Sequence, residues 1–107
     1  MACLNQLKGF YDMNLVLLRH SENAARAPDF MAAHKEWIQA GLDDGVILLV
    51  GGLKPKGGGL LLTTGRSGEE LAKWVNEDPF VEQDIVTPEI VEFTPTFANG
   101  QLSFLMP

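Results

Sequence analysis

V-I-L-L-V-G-G-L-K-P-K-G-G-G-L-L-L-T-T, Val46 to Thr64, is the stretch on which the fold turns. Two short apolar runs, Val46–Val50 and Leu60–Thr64, flank a loop that holds five glycines and one proline. Apolar runs bounded by Gly and Pro read as strands, and a connection of this length with five glycines reads as a hairpin connection or a mobile flap. The loop is no phosphate cradle, because no helix opening with G-K-[ST] follows it.

Upstream of the hairpin, Pro28 or Asp29 is expected to open a helix. From Phe30 to Leu42 the residues Phe30, Met31, Trp37, Ile38 and Leu42 fall on one face, with Lys35, Glu36, Gln39 and Asp43 opposite, as in an amphipathic helix. Gly41 or Gly45 can end it. Before it, M-N-L-V-L-L-R, Met13 to Arg19, reads as a strand. Downstream, S-G-E-E, Ser67 to Glu70, has the spacing of a capping box. The helix it opens continues through Leu71, Trp74 and Val75 to about Asn76. I-V-T-P-E-I-V-E-F, Ile85 to Phe93, reads as a fourth strand. Pro88 has no N–H to give a ladder, so this strand belongs at a sheet edge or begins after the proline. Asn99-Gly100 favours a tight turn, and Q-L-S-F-L after it is expected to add a short fifth strand.

The order β-α-β-β-α-β is the split βαβ pattern of the α+β, ferredoxin-like class. Right-handed crossovers place both helices on one face of a single antiparallel sheet. With 107 residues the chain reads as one domain, its core about 13–93 and a C-terminal extension 94–107. L-V-L-L, V-I-L-L-V and L-L-L are apolar on both parities, whereas a sheet with one wet face alternates. Two helices cover one face; the same face of a second copy is the economical cover for the other. A homodimer with packed sheets is therefore expected.

The formal net charge is −6, and the eight Lys and Arg residues are scattered from Lys8 to Lys73. Nucleic acid and anionic membrane surfaces both require concentrated positive charge, so neither is an expected partner. The lone Cys3 excludes an internal disulfide and fits a reducing compartment. M-A-C-L-N-Q-L-K-G-F lacks the basic start and apolar run of a secretory signal, and no stretch approaches the ~20 apolar residues that span a bilayer. A cytoplasmic protein is expected.

Two polar residues break the apolar stripes. His34 lies one turn from Phe30 and beside Trp37 and Ile38. Asp78 follows Leu71, Trp74 and Val75 at i+7, i+4 and i+3. Each has a plain structural explanation: His34 as a satisfied core histidine, Asp78 as the N-cap of a short turn P-F-V-E with Pro79 in its first position. Buried charge survives only when paired or hydrogen-bonded. The two helices share a sheet face, so each group can serve the other. An imidazole so held can act as a general acid or base near neutral pH, with the aspartate fixing its tautomer.

P-D-F-M-A-A-H-K-E-W-I-Q-A-G, then G-V-I-L-L-V-G-G-L-K-P, then E-E-L-A-K-W-V-N-E-D-P-F-V and E-I-V-E-F resemble the YCII-related family of small bacterial proteins. The resemblance runs from about Leu15 to Phe93. It rests most on A-H-x-x-W/Y-I/L-x-x-G and E-D-P-F-V at this spacing. It implies a dimeric α+β barrel of ferredoxin-like protomers and a His–Asp pair as catalytic centre, which maps onto His34 and Asp78. Most members have no assigned reaction; dehydrohalogenation of a chlorinated hydroxyhydroquinone is attributed to one branch.

Other candidates are weaker. His20, after Arg19 at the end of the first strand, stands where loops form a cleft mouth, and both are candidate substrate-binding residues. His20 and His34 lack a third ligand at sensible spacing, so no metal is expected. Arg19, Lys54, Lys56 and Arg66 can attract an anionic ligand or simply solubilise. Trp37 and Trp74 read as core, and Ser67 has no paired base for nucleophilic work. Tyr11 and Cys3 lie in a poorly patterned leader.

The expectation is a cofactor-independent enzyme acting by elimination, isomerisation or hydrolysis on a small molecule. A non-catalytic metabolite-binding or structural dimeric module is the alternative. A dimeric-barrel monooxygenase working without cofactor fits the architecture, but the H…D-P-F spacing favours the first family.

Overall fold

The computed structural model describes residues 13–55 and 57–106; Cys3, Tyr11 and Lys56 lie outside them. Strands β1 (Met13–His20), β2 (Ile47–Gly52), β3 (Gly59–Thr64) and β4 (Val86–Phe93) form one antiparallel sheet. Their spatial order is β2-β3-β1-β4, the arrangement of a ferredoxin-like fold. Strand β1 is central, and β4, which carries Pro88, lies at an edge where a missing N–H costs least. Helices α1 (Ala27–Asp43) and α2 (Gly68–Val75), with the short α3 (Pro79–Glu82), cover one face.

The core lies between that face and the helices. Val16 and Leu18 of β1, Leu61 of β3, Leu71, Trp74 and Val75 of α2, Phe80 of α3 and Ile85 are buried together. Burial of each such side chain contributes about 1.5–3 kcal/mol. From α1, Phe30, Trp37 and Ile38 pack onto this cluster, whereas Met31 and Leu42, assigned to the same face by periodicity, are exposed.

Helix α1 starts at Ala27 and runs through Gly41. The two candidate stop glycines do different work. Gly45 has φ +78° and follows the C-terminal cap Asp44, where a left-handed residue ends a helix. Gly41 is buried because a Cβ there would stand 2.6 Å from Ile47 Cδ1 and 3.1 Å from Trp74 Cζ2. Its bare backbone lets α1 approach β2 and α2.

The expected capping box does not form. Ser67 is extended and its hydroxyl makes no capping bond; a different first-turn donor, the Gly68 N–H, is satisfied by Glu92 Oε1 at 2.8 Å. Glu70, which the box would fold back onto the N-cap, sits 3.7 Å from Arg66 Nε. The expected fifth strand is also absent. Gly100–Leu105 is a 3₁₀ helix, because Asn99 Oδ1 accepts the Gln101 N–H at 2.9 Å and turns the backbone into a helical start.

The sheet's second face is apolar, as its parity suggested. Leu15 pairs with Leu62 and Val91, and Leu17 with Leu60, so these side chains share one surface. Leu49, Val91 and Phe93 remain exposed there, Leu49 at 57%. The C-terminal segment closes one end, burying Leu105 where Met13 and Leu62 line the same groove. No helix of the described residues is long and apolar enough to cross a membrane.

Candidate functional site

His34 reaches the site from the middle of α1, and Asp78 from the turn between α2 and α3. Helix α2 ends at Val75, so Asp78 does not continue its stripe as the i+7 spacing suggested. It enters as the N-cap of α3, with Pro79 in the first turn. Its Oδ1 accepts the Phe80 N–H at 3.0 Å and lies 2.7 Å from His34 Nδ1. The plain capping reading and the pairing reading of Asp78 thus describe one oxygen atom.

Opposite an ionised carboxylate, which only accepts, Nδ1 would be the donor; Nε2 is the nitrogen not engaged by Asp78. The Asp78 side chain is fully buried and that of His34 is 12% exposed. Asp78 Oδ2 is buried without a hydrogen-bond partner, as is Trp37 Nε1. Phe80 lies flat against the imidazole, with ring centroids 3.9 Å apart and planes within 2°. The ring is therefore held at one nitrogen and on one face. Such restraint lets a base meet a ligand in one orientation.

The imidazole opens into a cleft of about 240 Å³ between α1, α3 and the helix-side face of the sheet, lined by Leu18, Met31, Ile38, Val50, Leu61 and Val86 among others. His20, the last residue of β1, lines it too. Its polar lining side chains, among the described residues, are the two imidazoles. A mostly apolar cleft with a few convergent polar groups is the usual form of a small-molecule site. An empty apolar cavity of about 150 Å³ accommodates benzene, so this volume suits one substituted ring rather than a nucleotide.

Arg19 is separated from this cleft by the alternation of the strand. Its side chain is exposed, 3.3 Å from Glu89 Oε1, and it borders a second depression of about 550 Å³ with His20, Leu53, Lys54, Pro55 and Gly57. His20 lines both. Arg66 stands 5.9 Å over the Trp74 ring, away from either. Ser67 is likewise remote. Among the described residues no group of three or more His, Cys, Asp or Glu side chains could hold a metal ion. The β2–β3 loop and the strand ends beside it form a wall of the site that periodicity does not reveal: Gly58 of the loop, Gly51 of β2 and Gly59 of β3 line the cleft. The five glycines were the available signal, since bare backbone is where a chain can come closest to a ligand or another strand.

No protein-family profile matches the chain, and no curated protein sequence matches it. Solved structures do share the fold. 5-chloro-2-hydroxyhydroquinone dehydrochlorinase (TftG) from Burkholderia phenoliruptrix AC1100, in complex with 2,5-dihydroxybenzoquinone, superposes with a TM-score of 0.62 at 17% identity, covering 83% of this chain and 96% of that one. MtbAldR superposes with a TM-score of 0.58 at 15% identity over 87% of this chain, which spans 58% of AldR. The chain is similar to both in its α+β fold.

Proposed function

We propose that this chain is a YCII-related, cofactor-independent enzyme that performs general acid–base chemistry on a small ring compound, with His34 as the proton-transferring group and Asp78 as its orienting partner. One observation carries the reading: an imidazole held at 2.7 Å by a buried carboxylate faces an apolar cleft of ring size. In the reaction the substrate C–H or O–H gives its proton to Nε2. The imidazolium that forms is stabilised by Asp78 Oδ1, which already accepts from Nδ1. Apolar walls limit competing water and strengthen that attraction. Elimination, isomerisation and hydrolysis all draw on this equipment.

The fold shared with a dehydrochlorinase favours elimination, in which a base removes a proton and the cleft accommodates the departing chloride. The test is chloride release from 5-chloro-2-hydroxyhydroquinone. Wild type should turn it over, and His34→Asn and Asp78→Asn should lower kcat by about 10²–10⁴-fold. Turnover that survives both substitutions overturns the mechanism; absence of turnover in wild type overturns the elimination reading.

A non-catalytic binding module is the second reading, favoured by the capping bond that gives Asp78 a structural task. In that case a ligand binds near His34 with no chemical change, which NMR of the bound compound detects directly. We further propose that the apolar sheet face joins two copies, so light scattering at micromolar concentration should give a dimer.

A further inference from the structure

His20 sits at the boundary of two depressions of opposite character. On one side is the apolar cleft that contains His34. On the other is an open hollow bordered by Arg19, Leu53, Lys54, Pro55 and Gly57. In a chain of net charge −6, this mouth brings together a guanidinium, an ammonium and an imidazole, with Glu89 as the acid paired to Arg19. That pair is more than half exposed at both ends, and exposed pairs of this kind contribute little.

The position of His20 is set by the glycine loop. Gly57 has φ +85°, and a Cβ on it would stand 2.9 Å from His20 Cε1 and 3.3 Å from Nδ1. Gly58 has φ +102°, and its Cβ would run into the Leu18 carbonyl oxygen. The loop therefore lies directly against the end of β1, and bare backbone at Gly57 is what admits the imidazole edge. The loop is braced by the Leu53 N–H to Gly58 carbonyl bond at 3.1 Å and the Gly57 N–H to Leu53 carbonyl bond at 3.1 Å.

We propose that His20, held in place by Gly57, is the anion-binding end of the site. The ligand then has an apolar body in the cleft above His34 and an ionised oxygen between His20 and Lys54. This deepens the acid–base reading by giving the substrate a charge and a direction, and Gly57 becomes a positioning residue rather than a linker. Charge complementarity at the mouth also speeds encounter with an anion.

The test compares benzoate with benzamide, which share size and shape but differ in charge, by isothermal titration. Wild type should bind benzoate about tenfold more tightly, a difference of about 1.4 kcal/mol. His20→Gln, at an exposed position, should bring the ratio near one by weakening benzoate far more than benzamide. Gly57→Ala should do the same, whereas Gly52→Ala, with open space around its Cβ, should keep the wild-type ratio. Equal affinities in wild type, a ratio that survives His20→Gln, or failure of benzoate to bind each overturns the proposal. His34→Asn separates this from the catalytic reading: the charge preference should persist in that variant whether or not His34 performs chemistry.

Discussion

Replacing Asp78 by alanine and by asparagine separates what its oxygen does for the fold from what its charge does for the site. Alanine removes two bonds at once, the 3.0 Å cap on the Phe80 N–H and the 2.7 Å contact with His34 Nδ1. Losing an N-cap costs about 1 kcal/mol. Leaving the Nδ1–H of a nearly buried imidazole without its partner costs about 1–2 kcal/mol more. The substitution also removes Oδ2, which is buried without a partner and offsets part of that loss. The net expectation is destabilisation by about 2 kcal/mol, which lowers Tm by about 8–15 °C for a chain near this size.

Asparagine retains an oxygen for both donors and loses the charge, so about half of that destabilisation is expected. Urea denaturation followed by far-UV circular dichroism gives both values. The order wild type, Asp78→Asn, Asp78→Ala is the signature of an acceptor shared by a cap and an imidazole. Alanine at wild-type stability, or asparagine as damaging as alanine, refutes it. If asparagine keeps most of the stability yet abolishes turnover, the carboxylate charge acts on chemistry rather than on folding.

Gly41→Ala places a methyl against Ile47 and Trp74 and should destabilise by about 1–3 kcal/mol through overpacking, measured by thermal melting. Gly45→Ala meets no atom within 4 Å but holds φ +78°, so about 1 kcal/mol is expected from backbone strain alone. Leu71→Ala, at a side chain with no exposure, should cost about 2–5 kcal/mol, and a smaller loss in urea titration would mean that the core collapses around the gap. Leu17→Glu, on the open sheet face, should yield a monomer by light scattering while leaving the benzoate preference intact.

Strand order was legible because three constraints agreed: the hairpin between two amphipathic stretches, right-handed crossovers, and a proline that demands an edge. The stripe Leu71, Trp74, Val75 was equally plain. What lay beyond sequence reading was competition between partners far apart in the chain. Nothing near Ser67 announces that Glu92 will take the Gly68 N–H. Nothing in Q-L-S-F-L shows that Asn99 will capture an amide two residues on. The nearness of His34 and Asp78 was anticipated for a reason that was half right. A charge on a buried face does need a partner, but Asp78 arrives there by capping α3 and not by prolonging α2. Gly57 carried no local signal of its contact with His20, since that contact exists only once the hairpin has folded against β1.

The site is assembled on one face of the sheet from α1, α3, the end of β1 and the β2–β3 loop, all within one chain. The apolar surface of Leu15, Leu17, Leu60 and Leu62 lies on the other face. Strand alternation makes this separation obligatory: Leu18 lines the cleft, so Leu17 points away from it. A substitution at Leu17 and one at His34 should therefore act independently, with free energies adding to within about 0.5 kcal/mol. If breaking the proposed dimer also abolished ligand binding, the partner copy would have to reach the cleft around the sheet edge. Both edges border the cleft, β2 through Val50 and Gly51 and β4 through Val86, and Gly51 and Gly52 on β2 are exposed. The double variant Leu17→Glu, His34→Asn decides between these geometries, because coupling through a shared edge shows as non-additivity and separate faces do not.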